Sequence, residues 1–113
     1  MKIAETAHKF RLGDILVSSW GYDQTNVDFY VVKEIRGKTG LTLCQIQKDV
    51  VPTDYFETYI VEPRKTENTH SVTYYPEPGK TIKVRAKNDY VKVGYGQYAR
   101  KWCGKPQTET KYH

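Results

Sequence analysis

No run in this 113-residue chain approaches the ~18 consecutive apolar residues that a membrane-crossing helix needs. The opening segment, Met1 to Phe10, carries Lys2, Glu5 and Lys9 and lacks the apolar stretch of a signal peptide. Both absences lead to the expectation of a cytoplasmic protein with no membrane partner. Cysteine is scarce: Cys44 and Cys103 are the only two, with no Cys-x-x-C pair and no matching histidine spacing. The usual zinc patterns are therefore missing, and in a reducing compartment both cysteines read as free thiols. The three histidines, His8, His70 and His113, fall in terminal or connecting segments. There is no nucleophile elbow, no phosphate-binding P-loop and no His-x-x-x-His spacing. The expectation is a chain that leans away from enzymes, with no catalytic set, no metal and no cofactor. Also missing are a 3.6-residue hydrophobic period over a helix length and any internal repeat.

Aromatic residues are plentiful, at 13%, with ten Tyr against three Phe and two Trp. Tyrosine suits strands, and it suits binding surfaces because each ring is apolar with a polar tip. The net charge of +5 is unevenly spread. Residues 1–78 hold 9 Lys/Arg against 11 Asp/Glu, a balance of −2, whereas residues 79–113 hold 9 against 2, a balance of +7. Basic character confined to one third of a chain points to a polyanionic partner or an acidic protein surface. The alternative is a solubilising face with no partner.

Along the chain, residues 1–9 read as a flexible arm and residues 10–113 as one β domain, a size that buries one modest core. Ile15 to Trp20 has strand length and β-branched members, and Gly21 ends it. Tyr22 to Asn26 reads as a loop and Phe29 to Ile35 as a second strand. Arg36-Gly37-Lys38-Thr39-Gly40, whose two glycines suit positive φ, turns the chain into a third strand, Leu41 to Gln47. Asp49 to Glu57 reads as a loop with a helical turn near Thr53–Phe56, Thr58 to Val61 as a short strand, and Arg64 to Thr69 as a polar connection. Ser71 to Tyr75 is a further strand, closed by Pro76-Glu77-Pro78-Gly79 because proline donates no ladder hydrogen bond. Thr81 to Ala86 then alternates Ile82, Val84 and Ala86 with Lys83 and Arg85, and Tyr90 to Val93 repeats the alternation after a turn at Lys87–Asp89. Short strands with Gly/Pro turns predict a mostly β fold with little helix, a small SH3-like or related β-barrel.

Two segments carry a resemblance. Gly13-Asp14-Ile15-Leu16 followed by Trp20-Gly21-Tyr22-Asp23-Gln24-Thr25-Asn26-Val27-Asp28-Phe29-Tyr30 resembles the signature of a group of small proteins from bacteriophages, prophages and other mobile elements. The tail Ala99-Arg100-Lys101-Trp102-Cys103-Gly104-Lys105-Pro106, closing on Thr110-Lys111-Tyr112, resembles that group's Trp-Asp-Gly-Lys-Pro and Thr-x-Tyr. Cys103 stands where the group usually has Asp, and Val31 where it usually has Gln. The resemblance implies a mobile-element origin in a bacterial host and brings no activity with it.

Two candidate sites follow. Trp20, Tyr22, Asp23, Gln24, Asn26 and Asp28 form a recognition loop on one reading, with rings supplying area and short polar groups fixing orientation. On the other reading, Asp, Asn and Thr bond nearby backbone and hold the fold. Asp23, Asn26 and Asp28 do not follow the EF-hand spacing, although convergence of Asp14, Asp23 and Asp28 as paired carboxylates stays open. The second candidate is basic and aromatic: Lys80, Lys83, Arg85, Lys87, Lys92, Tyr95, Arg100 and Lys101. Cations interleaved with rings suit nucleic acid, single strands above all, because phosphates meet the cations while unpaired bases stack. The expected function is a non-enzymatic nucleic-acid-binding protein. The alternative is a host-directed inhibitor, an anti-defence protein that works by contact with a host protein.

Overall fold

The apolar run Ile15–Val17 and its counterpart Val27–Val32 bury both of their faces, and that double burial sets the architecture. The structure, a computed structural model, describes residues 9–21, 25–53, 58–67, 72–74, 76–87, 89–94 and 96–110. In chain order its strands are β1 (Ile15–Trp20), β2 (Asn26–Arg36), β3 (Gly40–Ile46), β4 (Lys48–Pro52), β5 (Thr58–Pro63), β6 (Lys65–Glu67), β7 (Val72–Tyr74), β8 (Pro76–Lys87), β9 (Tyr90–Gly94), β10 (Gln97–Lys101) and β11 (Gln107–Thr110). Six of them close an antiparallel barrel in the order β1-β10-β9-β8-β3-β2. A three-stranded sheet, β11-β5-β4, and the pair β6-β7 complete the fold. The chain is thus all-β among its described residues and its centre is a small SH3-like barrel, as the turn and alternation pattern predicts. No helix of the described residues is long and apolar enough to cross a membrane.

Alternation sorts the side chains. Leu16, Tyr30, Val32, Leu41, Leu43, Ala86, Val91 and Ala99 fill the barrel, together with Phe10. The opposite faces of β1 and β2 contribute Ile15, Val17, Val27, Phe29 and Val31 to a second cluster with Ile46, Val61 and Trp102. Each fully buried large side chain contributes about 1.5–3 kcal/mol. Two clusters back to back across β1 and β2 therefore hold the second sheet to the barrel.

The segments that differ from the sequence expectation have identifiable causes. Asn26 and Asp28, expected in or beside a loop, belong to β2, where Asn26 pairs with Trp20 and Asp28 with Ser18. Their polarity reflects their place near one end of the barrel rather than an absence of regular structure. Part of the stretch from Asp49 is strand β4 rather than loop, paired with β5 from Lys48↔Pro63 to Pro52↔Tyr59. Lys65–Glu67 is likewise a strand, paired with β7. Pro76–Gly79 does not close a strand but opens β8. Between Cys44↔Thr81 and Ile46↔Pro76 the register shifts, so five residues of β8 pass two of β3. The prolines fall at the strand's start and in this irregular stretch, where proline is tolerated. In the β2–β3 turn Gly37 adopts a φ of 61°, while Gly40 does not use positive φ. Gly40 is there for space: a Cβ on it would lie 2.7 Å from the Arg36 carbonyl oxygen. The arm expected at residues 1–9, Lys9 excepted, and the helical turn expected near Thr53–Phe56, Thr53 excepted, lie outside the described residues.

Candidate nucleic-acid interface

In a six-stranded ring, β8 and β9 lie across from β1 and β2. No second sheet pairs with or packs on that side among the described residues. Along β8, Ile82, Val84 and Ala86 turn to the interior, which sends Lys83, Arg85 and Lys87 outward, all exposed. On β9 the buried Val91 is flanked by Tyr90 and the exposed Lys92; on β10 the buried Ala99 is flanked by the exposed Tyr98 and Arg100. Registers Lys87↔Tyr90 and Arg100↔Tyr90 set these three side chains in one row across β8, β9 and β10. Lys92 stands opposite Tyr98.

Within this face the aromatic rings are fixed by one another. Tyr90 and Tyr98 meet edge to face, with centroids 5.8 Å apart and planes at 72°. The Arg100 guanidinium lies 5.8 Å from the Tyr90 centroid and 3.9 Å from the Asp89 carboxylate. Tyr98 nevertheless keeps 49% of its surface exposed. A half-exposed ring held by a neighbour, with Lys92 opposite it and Arg100 two residues along its strand, presents area for a planar ligand at little entropic cost.

The basic residues named from sequence divide accordingly. Lys83, Arg85, Lys87, Lys92 and Arg100 share the outer face, and Lys80 is exposed at the irregular part of β8. Lys101 stands elsewhere: it is in register with the inward-facing Leu16, its Nζ lies 3.3 Å from the Asp14 carboxylate, and it sits 6.0 Å from the Phe10 ring centroid. Tyr95 lies outside the described residues. Arg36, which the sequence pattern places in a turn, joins the face. Register pairs it with Gly40, which pairs in turn with Arg85.

The Trp20–Tyr30 segment is arranged differently. Trp20 Nε1 donates to Asp28 Oδ2 at 2.7 Å, and Gln45 Nε2 donates to Asp28 Oδ1 at 3.2 Å. Phe29 is fully buried against Trp102, edge to face at 5.8 Å. Burial, with the Asp28 carboxylate as the lesser cause, pushes the Tyr30 phenol up to about 12. Thr25 is bound twice to the C-terminal strand: its N–H donates to Thr110 Oγ1 at 2.9 Å, and its carbonyl accepts the Thr110 N–H at 3.0 Å. The described part of this segment thus makes fold contacts, and Trp20 and Asp28 are engaged with each other. Tyr22, Asp23 and Gln24 lie outside the described residues. Asp14 accepts the Arg11 N–H at 2.8 Å, a partner set separate from that of Asp28.

Two residues with no sequence signal tie the segment down. β3 ends at Ile46, opposite Phe29, and two residues further along β2 side chains take over the backbone of Val27. Glu109 Oε2 accepts the Val27 N–H at 2.9 Å, and Lys48 Nζ donates to the Val27 carbonyl at 2.6 Å. Lys48 and Glu109 pair with each other at 2.6 Å, with the Glu109 side chain fully buried. The tail motif is structural as well: the Trp102 indole donates to the Lys105 carbonyl at 2.7 Å, across a turn in which Gly104 has φ 91°. Cys103 is exposed.

Comparison with protein-family models, curated proteins and solved structures returns no match for this chain.

Proposed function

We propose that this barrel binds nucleic acid, single strands by preference, through the outer face of β8, β9 and β10. The observation that carries the reading is the row Lys87–Tyr90–Arg100 beside the half-exposed Tyr98 ring. Backbone phosphates pair with Lys83, Arg85, Lys87, Lys92 and Arg100, while an unpaired base stacks on Tyr98. The resemblance to phage and mobile-element proteins supports a bacterial cytoplasm as the setting. The test is a fluorescence-anisotropy titration of single-stranded DNA, RNA and duplex DNA across a salt series. Affinity is expected to fall linearly on a log–log plot by ~0.7 per phosphate contact for single strands. No binding to any of the three at low salt would sink the reading.

A second reading, the host-directed inhibitor, draws on a different surface. Val51 and Ile60 face each other across β4 and β5 and are 56% and 40% exposed. Paired exposed apolar side chains on a sheet suit protein contact. A nuclease-resistant, stoichiometric host partner that is lost on Val51→Lys would favour it over the first reading.

A further inference from the structure

The outer face holds a second feature beside the stacking platform, and it shares Lys83 and Arg85 with the phosphate-binding set. Arg36, Gly40 and Arg85 occupy one row across β2, β3 and β8, and Glu34, Thr42 and Lys83 occupy the next. Neighbouring strands are ~4.8 Å apart, so the two arginines stand about two strand spacings apart with only a hydrogen at the residue between them. The result is a cleft of about 260 Å³ lined by Arg36, Gly40, Lys83, Val84 and Arg85. Gly40 keeps it open, because any side chain there collides with the Arg36 carbonyl. Arg36 is held in place: its Nε donates to Thr42 Oγ1 and its Nη2 to the Leu41 carbonyl, both at 3.3 Å. Its Nε also lies 3.6 Å from Glu34 Oε1. Lys83 and Arg85 form no ion pair with any described residue.

The charges around the cleft are three cations and one carboxylate, a local balance of +2. An internal phosphodiester carries one negative charge, whereas a phosphomonoester carries about −1.5 to −2 at neutral pH. Guanidinium groups also match a phosphate's oxygens in a bidentate fork, which a monoester's three terminal oxygens exploit more fully. Resting on the nucleic-acid reading above, we propose that the Arg36–Gly40–Arg85 cleft is a subsite for the terminal phosphate of a nucleic-acid strand. A strand end anchored there runs over β8 toward the Tyr90–Tyr98 platform, which then takes a base. The chain would accordingly prefer phosphorylated ends to hydroxyl ends and to continuous strand.

The test compares one short oligothymidylate in three forms: 5′-phosphate, 3′-phosphate and hydroxyl at both ends. Anisotropy should show roughly tenfold tighter binding for one phosphorylated form than for the hydroxyl form. Arg85→Gln and Arg36→Gln should each erase that preference, whereas Tyr98→Ala should weaken all three forms alike and leave it intact. Circular dichroism confirms that each variant is folded. Equal binding of all three forms by the wild-type chain overturns the subsite while leaving nucleic-acid binding in place. Survival of the preference in both arginine variants overturns it too. Inorganic phosphate followed by amide chemical shifts supplies an arm that needs no nucleic acid: shifts centred on Gly40, Val84 and Arg85 support the subsite, and their absence overturns it. Failure of every oligonucleotide to bind, with the phosphate shifts present, overturns the nucleic-acid reading and keeps the anion site.

Discussion

β2 and β8 are neighbours of the same strand, β3, yet their outward faces have opposite character. On β2 that face is Val27, Phe29 and Val31, sealed under the second sheet, as far as the register shift that precedes Glu34 and Arg36. On β8 it is Lys83, Arg85 and Lys87, all exposed. Both are antiparallel strands of one barrel, so the difference comes from what the chain lays over each. The covered flank is where removal of a side chain should unfold the protein. The bare flank is where the same operation should leave the fold intact and change only what binds.

The largest expected effect is on the covered flank. Phe29→Ala removes a fully buried ring that meets Trp102 edge to face, and should cost about 3–5 kcal/mol. Urea denaturation measures it. A loss under ~1 kcal/mol would mean that the second sheet is not held through this cluster. Glu109→Ala follows: it takes the acceptor from the Val27 N–H and the 2.6 Å carboxylate from Lys48, which keeps the Val27 carbonyl and the Asp28 carboxylate at 3.9 Å, so a loss of about 1–3 kcal/mol is expected.

The same contrast decides what the sequence could tell. β8 alternates because one face is wet and the other dry, so Ile82, Val84 and Ala86 separate from Lys83 and Arg85 by inspection, and the basic face follows directly. β2 is dry on both sides over much of its length, and its polar members, Asn26 and Asp28, stand near one end of the barrel. A reading that equates polarity with loop therefore starts the strand at Phe29, three residues after its true start at Asn26. β11 was illegible for a different reason. Gln107-Thr108-Glu109-Thr110 contains no apolar residue, and it is a strand only because β5, more than forty residues earlier, offers it a ladder. Nothing local marks Glu109 as buried, since its partners Lys48 and Val27 are equally remote in sequence. Arg36 was hidden by its position beside a glycine turn, where its role depends on β3 and β8 lying alongside.

Between the two flanks stands Tyr30, inside the barrel and near Asp28, with its phenol pushed up to about 12 by burial first and that carboxylate second. An unfolded tyrosine ionises near 10. A folded value above the unfolded one means that Tyr30 supports the fold fully below pH ~10 and that this support drains away as pH rises toward 12. Alkaline unfolding should therefore be less steep over that interval in Tyr30→Phe. Absorbance at 295 nm should show one tyrosine ionising later than the exposed ones. If all tyrosines titrate together while the chain remains folded, water reaches the Tyr30 phenol inside the barrel.

On the bare flank Tyr98→Ala should leave stability within about 1 kcal/mol, because half of the ring is already in water. It should weaken single-strand binding by ~1–3 kcal/mol. The opposite result, a large stability loss with binding unchanged, would make Tyr98 a support for Tyr90 and remove the platform.

The smallest stability effect is expected where the charge is greatest. Lys83→Gln with Lys87→Gln removes two exposed cations, neither of which forms an ion pair with a described residue. Changes at such positions usually stay within ±0.5 kcal/mol. Relief of repulsion along a face that also holds Arg85, Lys92 and Arg100 should push the sign toward stabilisation, more so at low salt. Binding should respond quite differently, with the log–log salt slope falling by ~0.7 for each lost phosphate contact. If both lysines contact phosphates the slope falls by about 1.4; if the strand follows only β9 and β10 it hardly moves. The lysine pair therefore asks how far around the barrel the bound strand travels, and in particular whether it reaches the cleft at Gly40.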